Sequence, residues 1–181
     1  VVVHQLTVEA KDDLLGSFVR DPLRGIVEMI WNALDADATE VAVSVEENLA
    51  GGVDLIRVRD NGMGMTLEDV NRGFGSLGGS WKHMATATVG GRTLHGKMGR
   101  GRYAAFGVGE QVTWRTAALV DDKRVAVVVR GRRSDLRHFE VSDPQPTHEP
   151  VGTEVIMTLP TSSAEAVLLR ESTIQNLTVT F

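Results

Sequence analysis

The sequence predicts an α/β sandwich with a mixed, largely antiparallel sheet, and three observations predict it. A strongly amphipathic helical stretch at 22–36 precedes a series of Val- and Ile-rich runs of strand length. Several neighbouring runs are joined by short turns instead of helices, which disfavours a doubly wound parallel sheet. Between the two strand-rich regions, residues 60–109 hold 13 of the 19 glycines, more than any ordinary core segment needs.

In chain order, residues 9–19 have mixed apolar and charged spacing and read as a short helix. Asp21-Pro22 is a helix start, with Asp at the cap and Pro in the first turn. The helix runs to Ala36, and Leu23, Val27, Ile30 and Leu34 form the stripe expected to pack. Glu40 to Glu47 and Val53 to Arg59 alternate as strands, and Leu49-Ala50-Gly51-Gly52 turns them into a hairpin. Thr66 to Phe74 is a short helix capped by Thr66 with Asp69 three residues on, and Arg100 to Phe106 is another. Gln111 to Leu119, Arg124 to Arg130 and Leu136 to Val141 form a meander with Asp121-Asp122 in one turn. Ser142 to Pro150 is a polar loop, Thr153 to Leu159 a strand, Ser163 to Glu171 a helix, and Ile174 to Phe181 a final strand.

Composition removes several function classes. Hydrophobic residues are 42% of the chain, enough for a core. A net charge of -5 gives no support for a broad nucleic-acid footprint. The absence of cysteine excludes disulfides, thiolate catalysis and thiolate metal sites, and it suits a cytoplasmic setting. No apolar run approaches the roughly 20 residues that span a bilayer, so no membrane partner is expected. Val1-Val2-Val3-His4 lacks the basic and long apolar regions of a signal peptide.

Four motifs carry chemistry. Glu28, Asn32 and Asp35 sit at i, i+4 and i+7, within roughly 60° of one another on one helix face. A carboxylate can take a proton from water, and an amide oxygen is a hard ligand suited to Mg²⁺. The same pattern also describes a plain amphipathic helix with a solvated face. Asp60-Asn61-Gly62-Met63-Gly64-Met65 follows a strand. Its Asp can accept from an exocyclic amine, although Asp-Asn-Gly is also a common turn. Gly96-Lys97-Met98-Gly99-Arg100-Gly101-Arg102 precedes an apolar run and offers backbone N–H groups and cations to phosphate, as some flexible surface loops also do. It is not the common phosphate loop, because no Gly-Lys-Ser or Gly-Lys-Thr occurs, and the dinucleotide fingerprint lacks its early strand–glycine–helix unit. Gly152-Thr153 opens a strand, which by itself is unremarkable.

Taken in order, Glu28-x-x-x-Asn32-Ala33-x-Asp35-Ala36, Asp60-x-Gly62-x-Gly64, Gly96-x-x-Gly99-x-Gly101 and Gly152-Thr153 resemble the Bergerat-fold ATPases, the gyrase, heat-shock chaperone, histidine kinase and MutL (GHKL) superfamily. The resemblance spans roughly residues 20–160. It implies a two-layer α/β sandwich with a glycine-rich lid, and Mg²⁺ and ATP as cofactors. Under it, Glu28 activates water, Asn32 binds Mg²⁺, Asp60 takes the adenine amine, and Asp35 lies near the nucleotide floor. Gly62, Met63, Gly64 and Met65 let the nucleotide approach the backbone, and Thr153 supports the adenine side through water. Gly96, Lys97, Met98, Gly99, Arg100 and Gly101 wrap the phosphates, with Lys82 as a lid contact or a solvated surface residue.

Glu-x-x-x-Asn-x-x-Asp-Ala with Thr39 is similar to the MutL, gyrase and chaperone branches, and Ser80-Trp81-Lys82 and Arg102-Tyr103 are similar to MORC-type and chaperone-like ATPases. The resemblance implies slow ATP hydrolysis coupled to lid closure and to a homodimer formed through the N-terminal region and lid. The expected division is an ATP-binding domain over 1–160 with its lid at about 66–101. Residues 161–181 form a C-terminal helix and strand leading toward a further domain. Two rivals stand beside this. A sensor histidine kinase core needs a helix-borne phosphoacceptor; the early histidine is His4, and His83, His95, His138 and His148 are scattered. A non-hydrolysing nucleotide-binding module has no use for Glu28. A DNA role rests only on local basic clusters, Arg130 to Arg133 and Arg100 to Arg102.

Overall fold

Alternating Val, Ile and Thr over short runs, broken by glycine and aspartate turns, produce the strands; the computed structural model describes residues 2–8, 19, 21–75, 87–88, 90–94, 101–168 and 177–180. The strands are β1 (Val3–Thr7), β2 (Glu40–Glu47), β3 (Val53–Asp60), β4 (Gly109–Val120), β5 (Lys123–Arg132), β6 (Asp135–Ser142), β7 (Gln145–Pro146), β8 (Gly152–Pro160) and β9 (Leu177–Thr180). The helices are α1 (Pro22–Asp35), α2 (Leu67–Gly75), α3 (Gly101–Ala104) and α4 (Ser162–Leu168), and a 3-10 turn over Ala105–Gly107 extends α3.

All the strands join one sheet, in the order β1-β6-β5-β4-β8-β3-β2-β9, with β7 against β5. Every pairing among the described residues is antiparallel, the far end of the largely antiparallel range expected. Asp121 and Asp122, at φ of 48° and 60°, make the tight β4–β5 turn.

Strand alternation sorts side chains to two faces. Val41, Ile56, Val58, Val112, Trp114, Val127, Val129, Phe139, Val155 and Met157 are buried on the inner face. Helical aromatics pack onto them: Phe74 of α2 meets Trp114 at 5.0 Å and Phe139 at 5.2 Å, both edge-on, and Phe106 meets Trp114 at 6.0 Å. The outer face carries charge, with Arg57 of β3 bridging Glu46 at 3.1 Å and Glu154 at 3.5 Å. The described helices thus cover one face, giving the two layers. No described helix is long and apolar enough to cross a membrane.

Several elements differ from the sequence reading. No element is expected at 3–7, yet β1 forms there, held by its pairing with β6. The Leu23, Val27, Ile30, Leu34 stripe is not the packed face of α1: Val27 is 47% exposed, whereas Pro22, Gly25, Ile26, Met29 and Ala33 are buried. Small residues give the closest helix approach, so the true contact face is marked by Gly25 and Ala33, not by the largest aliphatics. The helix read over Arg100 to Phe106 is a single α-turn running into a 3-10 turn. The 142–150 loop contains the short strand β7. The last strand is paired, Leu177–Thr180 running against Glu40 to Val43 of β2. Residues 9–18 of the helix read at 9–19, residues 169–171 of the helix read at 163–171, and Ser80, Trp81, His83 and His95 lie outside the described residues, and Val19 is a buried bend.

Candidate functional site

The site begins with the cap of α1. The Asp21 carboxylate accepts from Leu23 N at 3.0 Å and Arg24 N at 3.3 Å, and Pro22 suits the first turn, so helix start and phase are fixed together. That phase sends Glu28, Asn32 and Asp35 to one wall of a cavity of about 240 Å³. Asp35 is 4% exposed. Arg24 lies beside Glu28, Nε to Oε1 3.6 Å.

Glu28 and Asn32 converge on a bare glycine at the start of α3. A Cβ on Gly101 would lie 3.1 Å from Glu28 Oε2, 3.2 Å from Asn32 Nδ2 and 3.4 Å from Asn32 Oδ1. A carboxylate and an amide oxygen beside open space are a fitting donor set for Mg²⁺, which takes few protein ligands and keeps several waters. No cluster of three or more His, Cys, Asp or Glu forms among the described residues, so any cation here needs ligands from water or substrate.

The end of β3 supplies another part of the cavity lining. Asp60 Oδ1 accepts from Gly62 N at 2.8 Å and Thr153 N at 3.2 Å. Burial pushes the Asp60 carboxyl up to about 6, against the pull of those two N–H groups. Its Oδ2 accepts nothing among the described residues. Asn61 ties the loop down: Oδ1 accepts from Thr39 N at 2.8 Å and Glu40 N at 2.9 Å, and Nδ2 donates to Thr39 Oγ1 at 2.9 Å. Met63 N donates to Ala36 O at 2.9 Å, and Met65 N to Thr116 Oγ1 at 2.8 Å.

The glycines of this loop serve contacts within the chain. A Cβ at Gly62 would meet Ala36 O at 2.6 Å, so Gly62 sits behind the cavity wall. Gly64 has φ +66°, and its Cβ would lie 2.0 Å from Ala117 O. Gly64→Ala is therefore expected to destabilise the protein by about 2–4 kcal/mol, combining left-handed strain with backbone overlap. Urea denaturation checks this, and a loss under about 1 kcal/mol would count against it.

One cavity thus gathers Glu28, Asn32, Asp35, Asp60, Met63, Gly64, Met65, Gly101 and Thr153. Lys82, Gly96, Lys97, Met98, Gly99 and Arg100 lie outside the described residues. The sequence reading did not reach Asp69, Gly73 and Phe74 of α2, nor Trp114 and Val155 of the sheet, which also line the cavity. Their signal was that of ordinary core and capping. Arg102 was noted for charge but not placed at the cavity, which it lines. It stacks on the Tyr103 ring at 4.5 Å and donates to its hydroxyl at 3.1 Å, and burial lowers its basicity. Asp37, at φ +58°, also went unnoticed. Its carboxylate accepts from Thr88 Oγ1 and from Gly90 N at 2.8 Å, fastening Thr88 and Gly90 to the turn after α1.

A larger hollow of about 600 Å³ shares Asp60 and Thr153 but lacks Glu28, Asn32 and Asp35. Around it stand Arg59, Arg115 and Glu154, ladder side chains of the outer sheet face. The smaller cavity is the better candidate because a few polar groups there converge from an otherwise apolar lining.

A family model described as Histidine kinase-, DNA gyrase B-, and HSP90-like ATPase matches residues 22–151. A protein of Herpetosiphon aurantiacus named as a type II restriction enzyme, HgiDII, is 37% identical over 86 residues, 48% of this chain and 13% of its own length. The DNA mismatch repair protein MutL of an Exiguobacterium species is 32% identical over 148 residues, 77% of this chain and 21% of its own. The DNA mismatch repair protein Mlh1 of Dictyostelium discoideum is 33% identical over 69 residues, 38% of this chain and 8% of its own. The chain therefore matches 21% or less of the length of each of these relatives.

Proposed function

The chain belongs to the histidine kinase-, DNA gyrase B- and HSP90-like ATPase family, with MutL-type relatives, and on that premise we propose that it binds Mg-ATP in the 240 Å³ cavity and hydrolyses it slowly. ATP binding is the property the family assignment carries; the residue roles, the magnesium dependence and the coupling below are our reading.

The observation that supports it most is the gathering of two kinds of polar group in one cavity. Asp60 offers an acceptor oxygen unused among the described residues, and Glu28 and Asn32 converge over Gly101. The adenine amine would donate to Asp60 Oδ2, and Thr153 would support the same edge through water. Met63, Gly64 and Met65 would form the floor, with Asp35 beneath. The phosphates would run toward Gly101 and the preceding segment, where Gly96, Lys97, Met98, Gly99 and Arg100 follow each other in sequence and Lys82 is a further contact. Asn32 would hold Mg²⁺, which when bound neutralises phosphate charge. Glu28 would orient a water and take its proton as the bond to the γ-phosphorus forms.

Hydrolysis of this kind would time a conformational cycle: closure of a lid over about 66–101 and pairing of two chains. The test is calorimetric titration of Mg-ATP, repeated in EDTA, with sedimentation in a non-hydrolysable ATP analogue. Saturable binding that weakens in EDTA and a shift to dimer are expected. Absence of binding with or without Mg²⁺ would overturn the assignment of the cavity. The histidine kinase reading is disfavoured by His4, which lies in β1 and not on a helix.

A further inference from the structure

In the β4–β8 ladder, Thr116 and Thr153 stand directly opposite each other. Thr153 lines the cavity; Thr116, 2% exposed, lies behind it. The Thr116 hydroxyl oxygen is a crossing point. It accepts from Met65 N at 2.8 Å, lies 3.3 Å from Gly152 O, and lies 3.1 Å from Thr153 Oγ1.

The proton count makes this arrangement directional. A hydroxyl has one proton and two lone pairs. Met65 N–H occupies one lone pair of Thr116. Gly152 O can only accept, so a bond there consumes Thr116's proton. The remaining lone pair then accepts from Thr153, whose proton is turned away from the cavity. This arrangement makes three hydrogen bonds at one oxygen. The reverse, with Thr116 donating to Thr153, gives up the bond to Gly152 O. A buried hydrogen bond contributes about 1 kcal/mol net, which favours the first arrangement roughly fivefold.

We propose that Thr116 is a positioning residue that holds the Thr153 hydroxyl as a hydrogen-bond acceptor toward the cavity, and so makes the base edge selective for 6-amino over 6-oxo purines. The inference rests on the nucleotide site proposed above. With Thr116 in place, Asp60 Oδ2 and Thr153 Oγ1 both present lone pairs, and Thr153 discriminates where it meets the position-6 group directly, since a bridging water can donate to it and to a 6-oxo group alike. A 6-amino group supplies donors to match, whereas a 6-oxo group sets acceptor against acceptor. Without the Thr116 hydroxyl, Thr153 turns freely and can donate, and one of the two obstacles to a 6-oxo purine disappears.

The experiment measures Kd for ATP and for inosine triphosphate, which carries a 6-oxo group and an N1–H donor where ATP has a 6-amino group and an N1 acceptor, in the native protein and in Thr116→Val, Thr116→Ser and Thr153→Val. Thr116→Val is expected to lower the ATP-to-ITP preference about fivefold. Thr116→Ser, which keeps the hydroxyl, should keep the native ratio. In a Thr153→Val background, adding Thr116→Val should leave the ratio unchanged, because the effect passes through Thr153. A purely structural role would weaken both nucleotides equally and leave the ratio unmoved, and that result overturns the proposal. Should Thr116→Val not fold, Thr116→Cys replaces it, with a partial loss of preference expected and an unchanged ratio overturning the proposal. If the native protein binds neither nucleotide, the ATP-site reading itself fails; if it prefers ATP and the ratio ignores Thr116, only this inference fails.

Discussion

Asp60→Asn is expected to abolish ATP binding while raising the melting temperature of the ligand-free protein. Both backbone donors to this side chain, Gly62 N and Thr153 N, reach the same oxygen, Oδ1. An asparagine amide keeps that oxygen and both bonds. What changes is the other atom: an acceptor oxygen becomes an NH₂ group facing the adenine amine, donor against donor. Loss of a charge-assisted bond plus that mismatch weakens binding by a factor of at least about 100. The stability effect has the opposite sign. The carboxyl is raised from 3.8 to about 6 by burial. A raised acid contributes stability that is fully present below its unfolded value, near 3.8, and is lost as pH rises through about 6. At pH 7 to 8 the fold therefore carries a buried charge, and the variant does not. A net gain of about 1–2 kcal/mol corresponds to a melting temperature higher by roughly 3–6 °C. The same logic gives a pH dependence in the native protein. Because Oδ1 is occupied by two donors, the proton goes to Oδ2 and turns the adenine acceptor into a donor. ATP affinity should hold above pH 7 and fall as pH drops below about 6. Calorimetry and thermal melts across pH 5 to 8 check both halves. A variant that binds ATP normally would remove Asp60 from the base site.

The legible part of the fold was whatever local chemistry decides. Asp21-Pro22 starts α1, and Thr66 with Asp69 caps α2 reciprocally, Asp69 N reaching Thr66 Oγ1 at 3.2 Å and Thr66 N reaching Asp69 Oδ2 at 3.0 Å. The β2–β3 hairpin and the β4–β5–β6 meander follow from alternation and turns. The strand order did not follow, because β8 inserts between β3 and β4 and no local signal encodes that pairing. At the site, the polar residues were legible because their spacing has a chemical meaning. The apolar lining was not: nothing in the sequence sets Phe74 and Trp114 apart from core, which they also are. Thr116 was invisible for a different reason. A threonine in a strand is ordinary until its register partner is known, and its meaning here comes from standing opposite Thr153. The packed face of α1 was misread because size was taken as the guide where closeness of approach decides.

Glu28→Gln is expected to reduce ATP turnover by a factor of about 10²–10⁴ while leaving ATP affinity within about threefold of native. The substitution is isosteric, and its only ion pair among the described residues is the 3.6 Å contact with Arg24, whose side chain is 74% exposed. Such a pair contributes little, so stability should stay within about 0.5 kcal/mol. What the amide lacks is the ability to take a proton. Asn32→Ala should behave differently, weakening magnesium-dependent binding and turnover together, since the amide oxygen beside Glu28 is the ligand proposed to hold the cation. Asp60→Asn adds a third pattern, binding lost whether or not Mg²⁺ is present. These patterns separate base, metal and adenine functions that share one cavity. They also separate the enzyme from a non-hydrolysing binder: if native turnover is already absent, Glu28→Gln changes nothing and the domain acts by binding alone. If turnover is present and survives Glu28→Gln undiminished, the water is activated elsewhere, and the convergence over Gly101 serves the cation only.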